Sequence, residues 1–419
     1  MKKRSLFFLA GLTAGFLLSS PAYAVDGYFA HGYGTQSKGM GGVSLAYPKD
    51  SLALATNPAS AIALGDRLDF DLEKLQLSRA GSYSGNAAGP DQSYNGNGRK
   101  NFYVPEFGLI RSVGADWAVG VVAYGNGGLD TNYPTNPYGR FGGSGKAADD
   151  LVQLFVSPTV AYRLSEDHSI GLSLNVMDEL LKVQGLQVFS GFSANPAAVS
   201  DRGRDSTLGY GARLGWQGRV TPWLVLGASW QSKTYAGHLK KYAGLMAGQG
   251  TINAPSTYGL GAAVTPFAGL DLAIDLKRID YSDAGGSNAN DFQRILSGKL
   301  LGNADGPGFG WKDTKAVKIG ANYRLDADWQ IRAGYCYSTA PTQPNQTLFG
   351  FMAPGAISHQ ATVGATWSPL PGQEISLYGL YDFTGSIHGS SSIPAAFGGG
   401  EVNVRAGLLG GGIGYGWRF

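Results

Sequence analysis

The chain has 419 residues, with 33 basic against 30 acidic side chains, and only 15% of it is charged where soluble domains carry roughly 25%. Aromatic residues reach 12% and there are 65 glycines, yet the mean hydropathy is −0.09. The near-neutral balance excludes the basic stripe of a nucleic-acid partner, and the single cysteine, Cys336, excludes a disulfide-stapled scaffold.

At the start of the chain, Lys2, Lys3 and Arg4 precede an apolar run from Leu6 to Leu18, and Ala22-Tyr23-Ala24 follows. That order predicts a cleaved secretory signal over residues 1–24 rather than a spanning helix, which needs about 20 apolar residues. Cleavage after Ala24 leaves a neutral remainder, and no cysteine follows the site to take a lipid anchor. No later stretch is long and apolar enough for a helical span.

Residues 25–66 are rich in small side chains. They hold Gly32, Gly34, Gly39, Gly41 and Gly42, then Ser51 to Ala63 interrupted by Asn57-Pro58-Ala59. Asn-Pro opens a turn, and small residues let backbones pack closely, so two or three short helices joined by tight turns are expected. Leu45, Leu52, Leu54, Ile62 and Leu64 favour a segment folded into a lumen over a loose tail.

From residue 67 onward the pattern changes to period-two alternation, as in Trp329, Ile331, Ala333, Tyr335 and Tyr337 against Gln330, Arg332, Gly334, Cys336 and Ser338. About fourteen strands long enough to cross a bilayer are expected. They lie near 67–79, 100–112, 117–125, 151–164, 168–184, 206–219, 223–235, 252–264, 269–281, 313–325, 329–338, 356–367, 373–387 and 401–419. Long connections near 80–99, 126–150, 185–205, 236–251, 282–312, 339–355 and 388–400 alternate with short turns such as Ser165-Glu166-Asp167. That asymmetry predicts an all-β, 14-stranded antiparallel outer-membrane barrel over 67–419, with external loops and short periplasmic turns. In the last strand Gly411, Ile413, Tyr415, Trp417 and Phe419 share one face. Alternating aromatics ending in Phe resemble a signal read by the barrel-assembly machinery. Left open, such a strand would be an aggregating edge, so it is expected to pair with the first.

Several motifs group together: Gly27-Tyr28-Phe29, His31-Gly32-Tyr33-Gly34, Lys38-Gly39-Met40-Gly41-Gly42 and Ala55-Thr56-Asn57-Pro58-Ala59. Downstream come Gly310-Trp311-Lys312-Asp313, Ile319-Gly320-Ala321-Asn322-Tyr323 and Arg332-Ala333-Gly334-Tyr335 followed by Ala340-Pro341. Together these resemble the FadL-type transporters of long-chain fatty acids and hydrocarbons. The resemblance implies a barrel plugged by an N-terminal hatch over 25–66, with Asn57, Pro58, Ala59, Gly41 and Gly42 in gating. It further implies a ligand groove between external loops and sideways release at a kinked third strand. Gly120 and Gly125 are the candidates for that kink, since glycine within a strand marks a bend. The fatty-acid members carry a charged Asp/Arg cluster before the twelfth strand, where this chain reads Met352-Ala353-Pro354-Gly355-Ala356-Ile357-Ser358-His359. Its absence raises the neutral-hydrocarbon branch.

Leu186, Val188, Phe189 and Phe192 on one long loop and Leu239, Leu245 and Met246 on the next are candidate substrate contacts. Such residues serve either a ligand groove or loop packing. Lys312 is the candidate for a carboxylate. No enzyme is read. Among His31, His168, His238, His359 and His388, only His359 adjoins a serine, Ser358, and neighbours in a strand face opposite ways. Gly142-Gly143-Ser144-Gly145-Lys146 lacks the first glycine and the Ser/Thr of a phosphate loop. Asp149-Asp150 reads as a solvated pair. No cofactor or metal is expected. The expected partners are a hydrophobic ligand, outer-membrane lipid and lipopolysaccharide, and the assembly machinery, with the barrel itself a monomer. Transport of hydrophobic molecules is the leading reading; a diffusion porin for small polar solutes is the alternative.

Overall fold

The computed structural model describes residues 26–284 and 292–419; the expected signal, 1–24, and part of the long connection at 282–312 lie outside them. Among the described residues, period-two alternation becomes fourteen long strands. In chain order they are β1 Arg67–Ser84, β2 Asn101–Val113, β3 Trp117–Tyr133, β4 Ala147–Arg163, β5 His168–Gln184, β6 Asp205–Thr221 and β7 Leu224–Gln231. The set is completed by β8 Thr257–Phe267, β9 Leu270–Ile279, β10 Thr314–Arg324, β11 Trp329–Ser338, β12 His359–Leu370, β13 Gln373–Phe383 and β14 Glu401–Arg418. Each pairs antiparallel with the next. β14 returns to β1, in register from Arg67↔Arg418 to Ser84↔Glu401. The barrel is closed, and no edge is left to aggregate.

Outward residues are the exposed apolar ones. Near the short-turn end they include Trp117, Trp223, Phe267, Trp329, Trp367, Tyr415, Trp417 and Phe419; near the other end, Tyr103, Tyr210, Tyr258, Tyr337, Tyr381 and Phe383. Aliphatic side chains such as Leu72, Ile274 and Ile331 lie between. Two aromatic girdles around an apolar band are what a bilayer selects. From Trp329 to Tyr337 along β11 is about 26 Å at ~3.3 Å per residue.

Several strands run beyond the ends that alternation predicts. β3 continues past 125 to Tyr133, β1 past 79 to Ser84, and β4 begins at Ala147 rather than 151. Above the bilayer the outward face turns polar, as at Gln76 and Ser78 on β1, so the hydropathy signal fades while the backbone ladder continues. β7 and β8 correct the other way: β7 stops at Gln231, and β8 begins at Thr257. The rim is therefore uneven. β1 and β14 have 18 residues and β3 to β6 have 17, whereas β7 has 8 and β9 has 10.

Residues 26–66 fold inside this wall. Two short helices, α1 Thr35–Lys38 and α2 Ser60–Leu64, flank a 3-10 turn at Ser51–Ala55 whose start is capped by Asp50 Oδ1 accepting from Leu52 N at 3.1 Å. Gly41 and Gly42, at φ +72° and +84°, turn the chain back after α1, a conformation other residues resist. The surrounding wall is lined with glycines. A Cβ on Gly320 would sit 2.5 Å from Met40 O, and one on Gly261 2.6 Å from Leu45 Cβ. At Gly171, Gly215 and Gly334 it would land on Pro58, Asn57 and Gly41. These five glycines, on five strands, thus form part of a seat for this segment.

Candidate functional site

The seated segment is held by charge-assisted hydrogen bonds, which are among the strong ones. Lys38 Nζ lies 3.0 Å from Glu73 and 3.1 Å from Glu106. Glu106 also accepts from Gly34 N at 2.9 Å, and Asp275 accepts from Ser44 N and Leu45 N at 2.8 and 3.0 Å. Burial works against the Lys38 charge, but Glu106 and Glu73 outweigh it and hold its pKa up. Asn57 stands at the centre. Its amide donates to Leu45 O at 2.8 Å and to Trp216 O on β6 at 3.0 Å, and its oxygen accepts from Ala59 N at 3.1 Å. Pro58 and Ala59 lie against Gly171 of β5.

The first described residues are bound differently, to a defect in the wall. The β3–β4 register shifts between Gly125 and Gly127, so Asn126 is an extra residue, a bulge. Ala30 N donates to Asn126 O at 2.9 Å, and Gly128 N to Tyr28 O at 3.0 Å. Gly127 has φ +155°, and a side chain there would strike Tyr28 O. The Asn126 side chain accepts from Tyr33 Oη at 2.8 Å. Of the two glycines singled out in sequence, Gly125 borders the bulge, while Gly120 lies in regular pairing with Ile110 and Thr159. Asp26 lies 2.8 Å from Lys318 and 3.4 Å from Lys277; its burial opposes ionisation, but the two lysines outweigh it and lower its pKa. His31 is pushed down to about 4, chiefly by burial.

Above the segment lies a largely apolar cavity. It has a volume of about 60 Å³ and is enclosed by Leu129, Leu151, Leu181 and Val183 from the tall strands β3 to β5. Four loops close it, through Leu186, then Leu245, Met246 and Ile252, then Leu301 and Phe309, then Phe349 and Met352. A smaller cavity beside it is lined by Phe189 and Phe192. Of the remaining sequence candidates, Leu239 is fully buried in the same core and Val188 packs against it. Lys312 is exposed and lines neither cavity. Its neighbour Trp311 turns inward instead.

Trp311 belongs to an aromatic series that the sequence did not announce. Phe309, in the cavity wall, stacks on Trp311 at 4.7 Å between ring centres; Trp311 meets Tyr28 at 5.7 Å; Tyr28 stacks on Phe29 at 5.3 Å. Phe29 forms a β-bridge with Gly127 at the bulge. Trp311, Tyr28 and Phe29 are all buried. The series leads from the loop-enclosed cavity to the defect in the wall.

Asp149 and Asp150 are not a solvated pair, since each is 8% exposed. β4 begins early enough to carry both in the wall, with Asp150 clamped by Arg99 and Arg204 at 3.1 and 2.6 Å. His359 is exposed and bonds Tyr335 Oη through Nδ1 at 2.5 Å.

A family model described as outer membrane protein transport protein (OMPP1/FadL/TodX) matches residues 19–377. No curated protein matches the chain. Among solved structures it resembles the toluene transporter TodX of Pseudomonas putida, at 16% identity and a TM-score of 0.68, over 93% of this chain and 99% of that one. It resembles the toluene transporter TbuX of Ralstonia pickettii at 18% identity and 0.63, over 93% and 99%. A Pseudomonas aeruginosa FadL homologue stands at 15% and 0.70, over 94% and 100%. At these identities the likeness establishes the fold.

Proposed function

Since the chain belongs to the OMPP1/FadL/TodX family of outer-membrane transport proteins, we propose that it carries small hydrophobic molecules inward and releases them sideways at the β3 bulge. The observation that carries this reading is the aromatic series Phe309–Trp311–Tyr28–Phe29, which joins the loop-enclosed cavity to Gly127. An apolar solute gains about 0.8 kcal/mol per buried CH₂ along such a path, and nothing from a watery pore. TodX and TbuX are toluene transporters, so a monoaromatic hydrocarbon is the first cargo to test. The exposed position of Lys312 and the apolar Met352 in the cavity wall favour neutral cargo over a carboxylate.

In this reading residues 25–66 are the hatch. Asn57, Pro58, Ala59, Gly41 and Gly42 keep its middle fixed, while residues 26–31 yield to cargo and uncover the wall beside Gly125. Leu186, Val188, Phe189, Phe192, Leu239, Leu245 and Met246 form or back the entry pocket. Tyr415, Trp417 and Phe419 serve insertion by the assembly machinery, and the barrel works as a monomer in lipid and lipopolysaccharide. Catalysis has no part in it. A diffusion porin is less supported, because the seated segment obstructs a polar route.

The test is uptake of labelled toluene by cells producing the chain or its Gly127→Val variant, alongside single-channel conductance of the purified barrel. Toluene uptake that Gly127→Val abolishes, with no steady conductance, is the expected result. Steady ionic conductance with the segment in place, or no toluene uptake, rejects the reading.

A further inference from the structure

The wall of the external cavity contains one ionisable group, Asp149, near the outer end of β4. What sets it apart from the other buried carboxylates is its place in the wall of this apolar cavity. Oδ1 accepts from the amide of Thr131 at 2.8 Å and from the Thr131 hydroxyl, the residue opposite it on β3. Among the described residues those are its only hydrogen bonds, so Oδ2 has none. The nearby cations are committed elsewhere: Arg79 to Asp130, and Arg99 and Arg204 to Asp150. Asp149 is 8% exposed, and the surface it retains opens into a cavity otherwise lined by groups such as Leu129, Leu151, Val183, Met246 and Phe349.

A purely hydrocarbon-binding pocket has no use for a carboxyl oxygen in its wall. Leaving a carboxyl oxygen without a partner in an apolar wall is costly, and a ligand that brings a hydrogen-bonding group to it removes that cost, whereas the matching hydrocarbon does not. We infer that this cavity selects small apolar molecules bearing one hydroxyl, phenols foremost, hydrogen-bonded to Asp149 Oδ2. The inference rests on the transport reading above and names its substrate class. At about 60 Å³ the cavity is smaller than the ~150 Å³ that holds benzene, so loop side chains such as Met246 and Phe349 must give way for a small ring to bind.

Toluene and p-cresol differ by one hydroxyl and separate the possibilities. Their affinities are measured by calorimetry on the purified full barrel and on Asp149→Leu and Asp149→Asn, each checked for folding by heat-dependent gel mobility. The wild type is expected to bind p-cresol about tenfold more tightly than toluene, the scale of one hydrogen bond. Asp149→Leu is expected to bring the ratio to within about twofold of unity while toluene still binds, and Asp149→Asn, which keeps a hydrogen-bonding group, to fall between. Equal affinities in the wild type, or a preference that survives in Asp149→Leu, overturn the inference and leave the transport reading standing. Binding of neither compound, with no uptake of either, overturns both.

Discussion

Replacing Asn57 by alanine removes three hydrogen bonds at one point of the lumen segment: two donated to Leu45 O and Trp216 O, one accepted from Ala59 N. Asn57 is fully buried, so its former partners lose their ligand out of reach of bulk solvent. Each such group costs about 1–3 kcal/mol, and allowing for water entering the vacated space the total is about 3–6 kcal/mol. At about 1.4 kcal/mol per factor of ten, local opening of the segment rises roughly a hundred- to ten-thousand-fold. The barrel itself keeps its fourteen paired strands, so folded-band gel mobility stays unchanged. Hydrogen exchange read by mass spectrometry is the assay: peptides covering 44–60 lose protection in Asn57→Ala while peptides of β11 and β12 do not, and brief conductance openings appear that the wild type lacks. Equal protection over 44–60 in the two proteins refutes the reasoning, since it means those three bonds do not hold the segment in place.

Trp311→Ala breaks the aromatic series between Phe309 and Tyr28; it is expected to cost about 3–5 kcal/mol of local stability and to slow uptake of apolar cargo while its affinity for the external cavity is kept, read by uptake against calorimetric binding. His31 is held neutral by burial with its pKa lowered to about 4, against ~6.5 in an unfolded chain. The unfolded form therefore takes the proton first, so the seating of residues 28–34 loses up to about 3 kcal/mol as pH falls from 6.5 to 4 and recovers above that window. Exchange protection of those residues in wild type relative to His31→Asn should fall over that range; parallel curves would contradict the shift. Deleting Phe419, whose ring packs 5.0 Å from Trp417 and 4.8 Å from the Arg111 guanidinium, is expected to lower the folded fraction in an assembly assay, and an unchanged yield counts against an assembly role.

The barrel was legible because its signal is local. Alternation at Trp329–Tyr337 and the long-short rhythm of connections both survive in a single sequence, and they count the strands correctly. Strand ends were less legible. Gly125, Gly127 and Gly128 interrupt the alternation of β3 where a bulge resets the register, so the pattern stops at 125 although the ladder runs on to Tyr133. The abundance of glycine was visible and its reason was not, because Gly171, Gly215, Gly320 and Gly334 share a task only once the strands stand side by side. The cavity was half legible. Leu186, Leu245 and Met246 stand out in two apolar loops, but Leu301, Phe309, Phe349 and Met352 come from two others, and convergence of loops leaves no period in the sequence. Lys312 and Trp311 show the limit most sharply: the neighbouring positions were recognised together, and the side chain that turns inward was the aromatic one.

The glycine seat also bears on how such chains can be inherited. Gly171, Gly320 and Gly334 each stand against a backbone atom of residues 26–66, so segment and wall have to change together. A chimaera that grafts the leading stretch of a relative only 16% identical onto this barrel would bring bends without their hollows. It would regain closure only if the matching glycines were transplanted with it.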